Sequence, residues 1–200
     1  LNSGFENWSP YMYEDLTGWY TSNLWSFGEP TLPAQKTTDM NNGNFAIELS
    51  VLNSTLDPGD TLFGAATNGY FGNNGPMGGE PYTGQPVAVE CYYKYAPVGG
   101  DNANINIEFF KNGSSIGMAG TGFNTTVNTY TLWNQPISLG QAPDTVLITL
   151  WAGNEFGSVF KVDDIDFVFP VGVSQNLKVE KIVSYPNPAV DVLNIRFSLI

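Results

Sequence analysis

The 200-residue sequence predicts an all-β protein: an antiparallel β-sandwich of jelly-roll type, plus a short β segment at the C-terminus. Three observations carry that expectation. With 22 Gly and 13 Pro, 14% aromatic and only 13% charged residues, the composition suits many short strands joined by turns. Apolar and polar residues alternate over several stretches, and no stretch shows a helical period. A hydrophobic fraction of 42% supplies enough side chains for one substantial core and an appendage.

The elements follow from the alternation. In residues 45–52, Phe45, Ile47, Leu49 and Val51 point one way while Ala46, Glu48 and Ser50 point the other. Residues 68–84 read as a long Gly, Asn and Pro loop. In residues 86–95, Val87, Val89, Cys91, Tyr93 and Tyr95 share a face, which makes Cys91 a buried thiol rather than a nucleophile. Ile105, Ile107 and Phe109 alternate with Asn104, Asn106 and Glu108, and Lys111-Asn112-Gly113-Ser114 reads as a hairpin turn. Residues 145–151 place Val146, Ile148 and Leu150 on one side and Trp151 on the other. In the closing strand, residues 159–169, Phe160 and Val162 have one parity while Ile165, Phe167 and Phe169 have the other. A bulge at Asp163-Asp164 would restore a single inward face. Pro170 stops that strand, giving a domain over residues 1–170, a linker over 171–176 and a C-terminal segment over 177–200.

Charge and residue usage exclude several functions. A net charge of −12 and a pI near 4.1, with 7 Lys and Arg in all, argue against nucleic acid and anionic membranes as partners. The absence of His removes Ser-His and Cys-His catalysis and the commonest zinc ligands. The single Cys allows no internal disulfide, and no run of residues reads as a transmembrane segment. The abrupt start at Leu1-Asn2-Ser3 leads to the expectation of a leader removed upstream. Glu80, Glu90, Glu108 and Glu155 show no spacing that singles out a catalytic carboxyl pair, so a non-enzyme is expected, with a glycoside hydrolase as the least favoured reading.

Candidate sites come from carboxylates and aromatic rings. Asp163 and Asp164 at a bend, with Glu6 of Gly4-Phe5-Glu6, are oxygen donors of the kind that calcium takes. Five Trp and ten Tyr exceed what one core of this size needs. Pyranose rings stack their C–H faces on such side chains while neighbouring amides and hydroxyls bind the sugar hydroxyls. Trp8, Tyr11, Tyr13, Trp19, Tyr20 and Trp25 cluster before residue 26, with Trp19 expected in the core. Tyr82, Tyr70 and Trp151 are the expected ligand contacts.

Three resemblances extend this reading. Ser184-Tyr185-Pro186-Asn187-Pro188-Ala189, with Asp191 and then Leu193-Asn194-Ile195, resembles the opening of the C-terminal sorting domain of type IX secretion cargo. It covers about the last two dozen residues, and it implies export through the periplasm by the type IX machinery to the outer surface or beyond. Gly4-Phe5-Glu6 followed by Gly18-Trp19, with the closing Val162-Asp163-Asp164-Ile165, resembles the jelly-roll carbohydrate-binding modules. Gly79-Glu80-Pro81-Tyr82-Thr83-Gly84-Gln85-Pro86 ahead of Tyr92-Tyr93-Lys94-Tyr95 is similar to a group of surface proteins assigned a carbohydrate-metabolism domain. The resemblance to the carbohydrate-binding modules implies a structural calcium held by Glu6 and Asp163 or Asp164. Together they imply a secreted or cell-surface, non-catalytic domain that binds a polysaccharide or other glycan. The alternative is a structural or adhesive surface domain that binds a protein.

Overall fold

The computed structural model describes residues 2–10, 13–170, 179–185 and 194–199. They belong to two compact units, Leu1–Phe169 and Pro170–Ile200. The first unit opens with β1 (Trp8–Pro10), β2 (Glu14–Leu16) and β3 (Tyr20–Thr21), then a short 3-10 helix at Ser22–Trp25. Next come β4 (Ala34–Thr37), β5 (Ala46–Ser50), β6 (Leu52–Asn53), β7 (Thr61–Leu62) and β8 (Ala65–Thr67). They are followed by β9 (Tyr70–Gly72), β10 (Gly75–Met77), β11 (Glu80–Pro81), β12 (Ala88–Ala96) and β13 (Ala103–Lys111). The unit closes with β14 (Ser114–Phe123), β15 (Val127–Pro136), β16 (Thr145–Trp151) and β17 (Val159–Val168).

Two antiparallel sheets make the sandwich. A front sheet runs β14-β13-β16-β8-β3, with β11 bonded to the start of β16, and a back sheet runs β15-β12-β17-β5-β4. Their central quartets, 8-16-13-14 and 5-17-12-15, have the order of two Greek keys wound together, which is the jelly roll.

The alternation read from the sequence sets the core. Ile47, Leu49 and Val51 of the back sheet meet Ile105, Ile107, Phe109, Val146, Ile148 and Leu150 of the front, all essentially inaccessible. Each such side chain contributes about 1.5–3 kcal/mol on burial. Cys91 and Trp19 are buried as expected. Asn112 and Gly113 have φ of 51° and 75°, the left-handed pair that a tight hairpin between β13 and β14 requires.

Two expectations are corrected. Val87 is exposed: it lies one residue before β12 begins, at the end of the sandwich. Residues 68–84 are not a plain loop, because β9 and β10 pair as a hairpin and β11 joins β16. Glycine permits this crowding. A Cβ at Gly69 would stand 2.1 Å from the Met77 carbonyl oxygen, and one at Gly79 would stand 2.4 Å from that of Val146.

The bulge at the double Asp is present. Glu90 pairs with Asp166 and Tyr92 with Asp163, so Cys91 alone faces both Asp164 and Ile165. Asp164 takes the extra turn with a φ of 48°. Phe160 and Val162 before it and Ile165 after it are consequently all buried, whereas Phe169, expected on the same face, lies just past the end of β17 and is exposed.

The second unit contains β18 (Val179–Tyr185) and β19 (Asn194–Leu199), paired antiparallel with Ile182 opposite Phe197 and Tyr185 opposite Asn194. The strands expected on both sides of the Tyr-Pro-Asn-Pro turn are thus present. The turn itself, the linker 171–176 and Tyr11 lie outside the described residues. No helix among the described residues is long and apolar enough to cross a membrane.

Candidate functional site

The outer face of the front sheet carries the site. Register puts Asn104 of β13 beside Trp151 of β16, and Asn106 beside Thr149. On the other side of β13, Gly122 and Gly120 of β14 lie opposite Asn104 and Asn106. The face therefore offers amides, a hydroxyl and two residues without side chains, which leaves a low floor. Trp25, Phe71 and Trp151 wall it, Gly72, Gly75 and Pro76 form the rim, and Asn104 and Thr149 form the base. The groove holds about 460 Å³, within the range of small-ligand clefts, about 300–1,000 Å³. None of these eight residues is ionisable.

Each wall residue is held by its own support. Trp25 ends the 3-10 helix, whose other side is buried and polar: Ser22, Asn23 and Ser26 are inaccessible while Leu24 and Trp25 are exposed. Asn23 acts as a strand residue would. Its Nδ2 donates to the Ala34 carbonyl at 2.7 Å and its Oδ1 accepts the Ala34 N–H at 3.0 Å. Ser22 Oγ accepts the Ala65 N–H of β8 at 3.0 Å, so the helix is fastened to both sheets. Trp25 thus stands 60% exposed on a fixed base.

Phe71 is positioned the same way. Asn68, two residues before β9, donates to the Val146 carbonyl at 3.0 Å and accepts the Ile148 N–H at 2.7 Å. The β9-β10 hairpin that follows brings Phe71 against Trp25, with ring centroids 4.9 Å apart. Trp151 is backed by Phe63, whose ring stacks on it at 5.3 Å.

The three sugar contacts expected from sequence separate. Trp151 faces outward, as its parity implied, and lines the groove. Tyr70 is 47% exposed but is the strand neighbour of Phe71 and so points to the opposite side of the hairpin. Tyr82 is far from the groove along β16: its neighbour Pro81 pairs with Thr145, six residues before Trp151. Its ring packs 4.6 Å from Phe167 and 5.8 Å from Phe109, its hydroxyl is buried without a partner, and burial pushes the phenol up to about 12. Trp25 belongs to the aromatic cluster before residue 26 and Phe71 to the 68–84 stretch, but neither they nor Phe63 are among the three contacts expected from sequence. The short stretches Leu24-Trp25, Leu62-Phe63 and Tyr70-Phe71 carry no strand or helical period that would give these rings a direction.

Glu6, Asp163 and Asp164 gather around residues 41–45. Glu6 accepts the N–H groups of Asn44 and Phe45 at 3.1 and 3.3 Å. Asp163 is fully buried and accepts those of Asn41 and Asn42 at 2.8 and 3.2 Å, while its other oxygen takes the Asp164 N–H at 2.9 Å. Asp164 accepts from the Asn41 amide at 2.9 Å. These oxygens thus face N–H donors, whose positive ends occupy directions that a cation's oxygen shell would need. Among the described residues no three Asp, Glu, Cys or His side chains converge to hold a metal ion. The arrangement fits a carboxylate-tied strap better than a resident calcium.

No protein-family model matches the chain, and no curated protein matches it. Solved structures resemble the chain over most of its length. A family 16 carbohydrate-binding module is 12% identical with a TM-score of 0.48, over 84% of this chain and 97% of that one. A family 28 module described as specific for non-crystalline cellulose is 15% identical at 0.47, over 84% and 93%. The enzymatically active domain of tailspike protein 4 of bacteriophage CBA120 is also 15% identical at 0.47, over 84% of this chain but 21% of that one.

Proposed function

We propose that the jelly-roll unit is a non-catalytic glycan-binding module whose site is the front-sheet groove. The observation that carries this reading is the pairing of outward-facing aromatic walls, Trp25, Phe71 and Trp151, with an uncharged polar base of Asn104 and Thr149. Indole and phenyl faces stack on pyranose C–H faces, and the amide and hydroxyl supply bonds to sugar hydroxyls. Glycoside hydrolysis needs two carboxyls about 5–9.5 Å apart across the bound sugar, and no carboxylate lines this groove.

Affinity electrophoresis of residues 1–170 in gels containing neutral polysaccharides tests the proposal, with Trp25→Ala and Trp151→Ala beside the wild type. Retardation by at least one polymer, lost in both variants and without release of reducing sugar, is the expected result. Migration unaffected by every polymer would favour an adhesive, protein-binding surface instead. Release of reducing ends would restore the hydrolase reading.

Export by the type IX system to the cell surface or beyond is the second part of the proposal, resting on the Tyr185 to Ile195 sequence. Fractionation of a producing cell tests it: replacing Pro186 and Pro188 by Ala should trap the protein in the periplasm.

A further inference from the structure

A second aromatic groove adjoins the first across Trp25. It holds about 470 Å³ between the 3-10 helix and the loop that joins β6 to β7. Trp25, Phe27, Leu56 and Phe63 give its apolar surface, and all four are exposed, by 60%, 60%, 58% and 37%. Trp25 lines both grooves and Phe63 stacks on Trp151 of the first, so the two form one continuous surface.

The two differ in charge. Glu29, Asp57 and Asp60 line the second groove, and no Lys or Arg does. The jelly-roll unit has four lysines, and each is engaged elsewhere: Lys36 with Glu14, Lys94 with Asp39, Lys111 with Asp144, and Lys161 with Asp39 and Glu48. Glu29 is fixed by Ser54 and Thr55, whose hydroxyls both donate to it, while Asp57 and Asp60 stand exposed on the loop. Aromatic faces beside uncompensated carboxylates complement an organic cation: the rings attract its charge through their π faces and the carboxylates through Coulomb's law. A neutral sugar would leave those charges unused, and an anionic one would be repelled.

We infer that the second groove takes the protonated amino group of a 2-amino-2-deoxy sugar, so that the preferred ligand is a glycan with free amines, its neutral parts stacked on Trp25 and Trp151 and an ammonium beside Asp57 and Asp60. This rests on the glycan reading of the first groove. A sugar is favoured over a basic peptide because the acidic groove opens without a break into an uncharged one of saccharide size.

The test is calorimetry of residues 1–170 with three β-1,4-linked tetramers, of glucose, N-acetylglucosamine and glucosamine, and with tetralysine. Glucosamine tetramer should bind on the order of tenfold more tightly than glucose tetramer at low salt, the advantage shrinking as salt is added. The Asp57→Asn/Asp60→Asn variant should lose that advantage and bind glucose tetramer as before. A variant with the same net charge, Glu90→Gln/Glu155→Gln, should keep it, which separates the groove from the general attraction of an acidic protein for a cation. Equal affinity for the three tetramers would overturn this inference and leave the glycan reading standing. So would an advantage that survives Asp57→Asn/Asp60→Asn, or tetralysine binding as tightly as glucosamine tetramer. Failure of all three sugars would overturn this inference, and the glycan reading would fall with it only if every polymer in the electrophoresis is silent as well.

Discussion

Phe63 stacks on Trp151 with ring centroids 5.3 Å apart and planes 23° from parallel, so the protein itself covers one face of the outermost indole of the front sheet. The covered face fixes the ring, and Trp151 still lines the groove. Trp151→Ala should therefore cost at least about tenfold in glycan affinity, as central aromatic contacts do. Phe63→Ala should cost about threefold by leaving the indole free to turn. Titration calorimetry with the best polysaccharide from the electrophoresis screen measures both. A Phe63→Ala loss as large as that of Trp151→Ala would mean that Phe63 touches the sugar directly.

Tyr82 packs against the core at the far end of β16, away from the front-sheet groove. Its ring lies against Phe167 and Phe109, so Tyr82→Ala should destabilise the unit by about 2–4 kcal/mol while leaving glycan affinity unchanged. Its buried hydroxyl has no hydrogen-bond partner, and Tyr82→Phe should therefore be neutral or stabilising by up to about 1 kcal/mol. Urea denaturation of the two variants measures the difference. A destabilised Tyr82→Phe would show that the hydroxyl has a partner in solution.

Much of the sandwich was legible because a half-buried strand writes its burial into alternate positions. Thr145–Trp151 was found at its full length, and the parity change at Asp163-Asp164 located the bulge to the residue. Ser114–Phe123 and Val127–Pro136 were missed as strands. Both sit at sheet edges, where Gly, Ser and Thr in the first and Asn, Thr and Gln in the second interrupt the apolar alternation and much of the surface is exposed. The groove was only partly legible for a different reason. Trp151 is part of a strand and its direction follows from parity. Trp25 and Phe71 owe their directions to hydrogen bonds made by Asn23 and Asn68 with chain segments far away in sequence, which no local pattern records.

The buried Asp163 makes stability depend on pH. Burial raises its carboxyl to about 6, against an ordinary value of 3.8, with the charge of Asp164 adding to the rise and the Asn41 and Asn42 amides opposing it. The folded state thus holds this proton more tightly than the unfolded chain. Its contribution is fully present below about pH 4, declines as pH rises, and is gone above about pH 6, a difference of about 2–3 kcal/mol. Asp39 and Asp101 have the opposite sign, since their carboxyls are held low, Asp39 chiefly by Lys94 and Lys161 and Asp101 by the amides of Asn154 and Glu155, so they favour folding only while ionised. Melting temperature should rise from about pH 7.5 to about pH 5 and fall below about pH 4. Asp163→Asn should flatten the first limb. A wild-type curve flat between those limits would contradict the assignment.

Calcium addresses the same strap. Because Glu6 and Asp163 already accept backbone N–H groups of residues 41–45, the melting temperature should be the same in millimolar calcium and in a chelator. Glu6→Ala should lower it in both solutions alike, by about 1–3 kcal/mol of stability, since two N–H donors lose their acceptor. A rise in calcium that Glu6→Ala abolishes would mean that these oxygens turn to a cation when one is offered.

Asn68 joins stability to binding. Its side chain completes the ladder beside β16 by bonding the Val146 carbonyl and the Ile148 N–H, and it is 5% exposed. Asn68→Ala would leave two buried backbone groups unpaired, at about 1–3 kcal/mol each. The β9-β10 hairpin that begins two residues later would lose its anchor, and Phe71 its place against Trp25. Denaturant melts should therefore show a loss of about 2–6 kcal/mol, together with weakened glycan binding at temperatures where the variant is still folded. Asn68→Asp keeps the acceptor for the Ile148 N–H but sets a carboxylate against the Val146 carbonyl, so it should be no better than Ala. A variant that is destabilised but binds normally would show that Phe71 is placed by the hairpin alone.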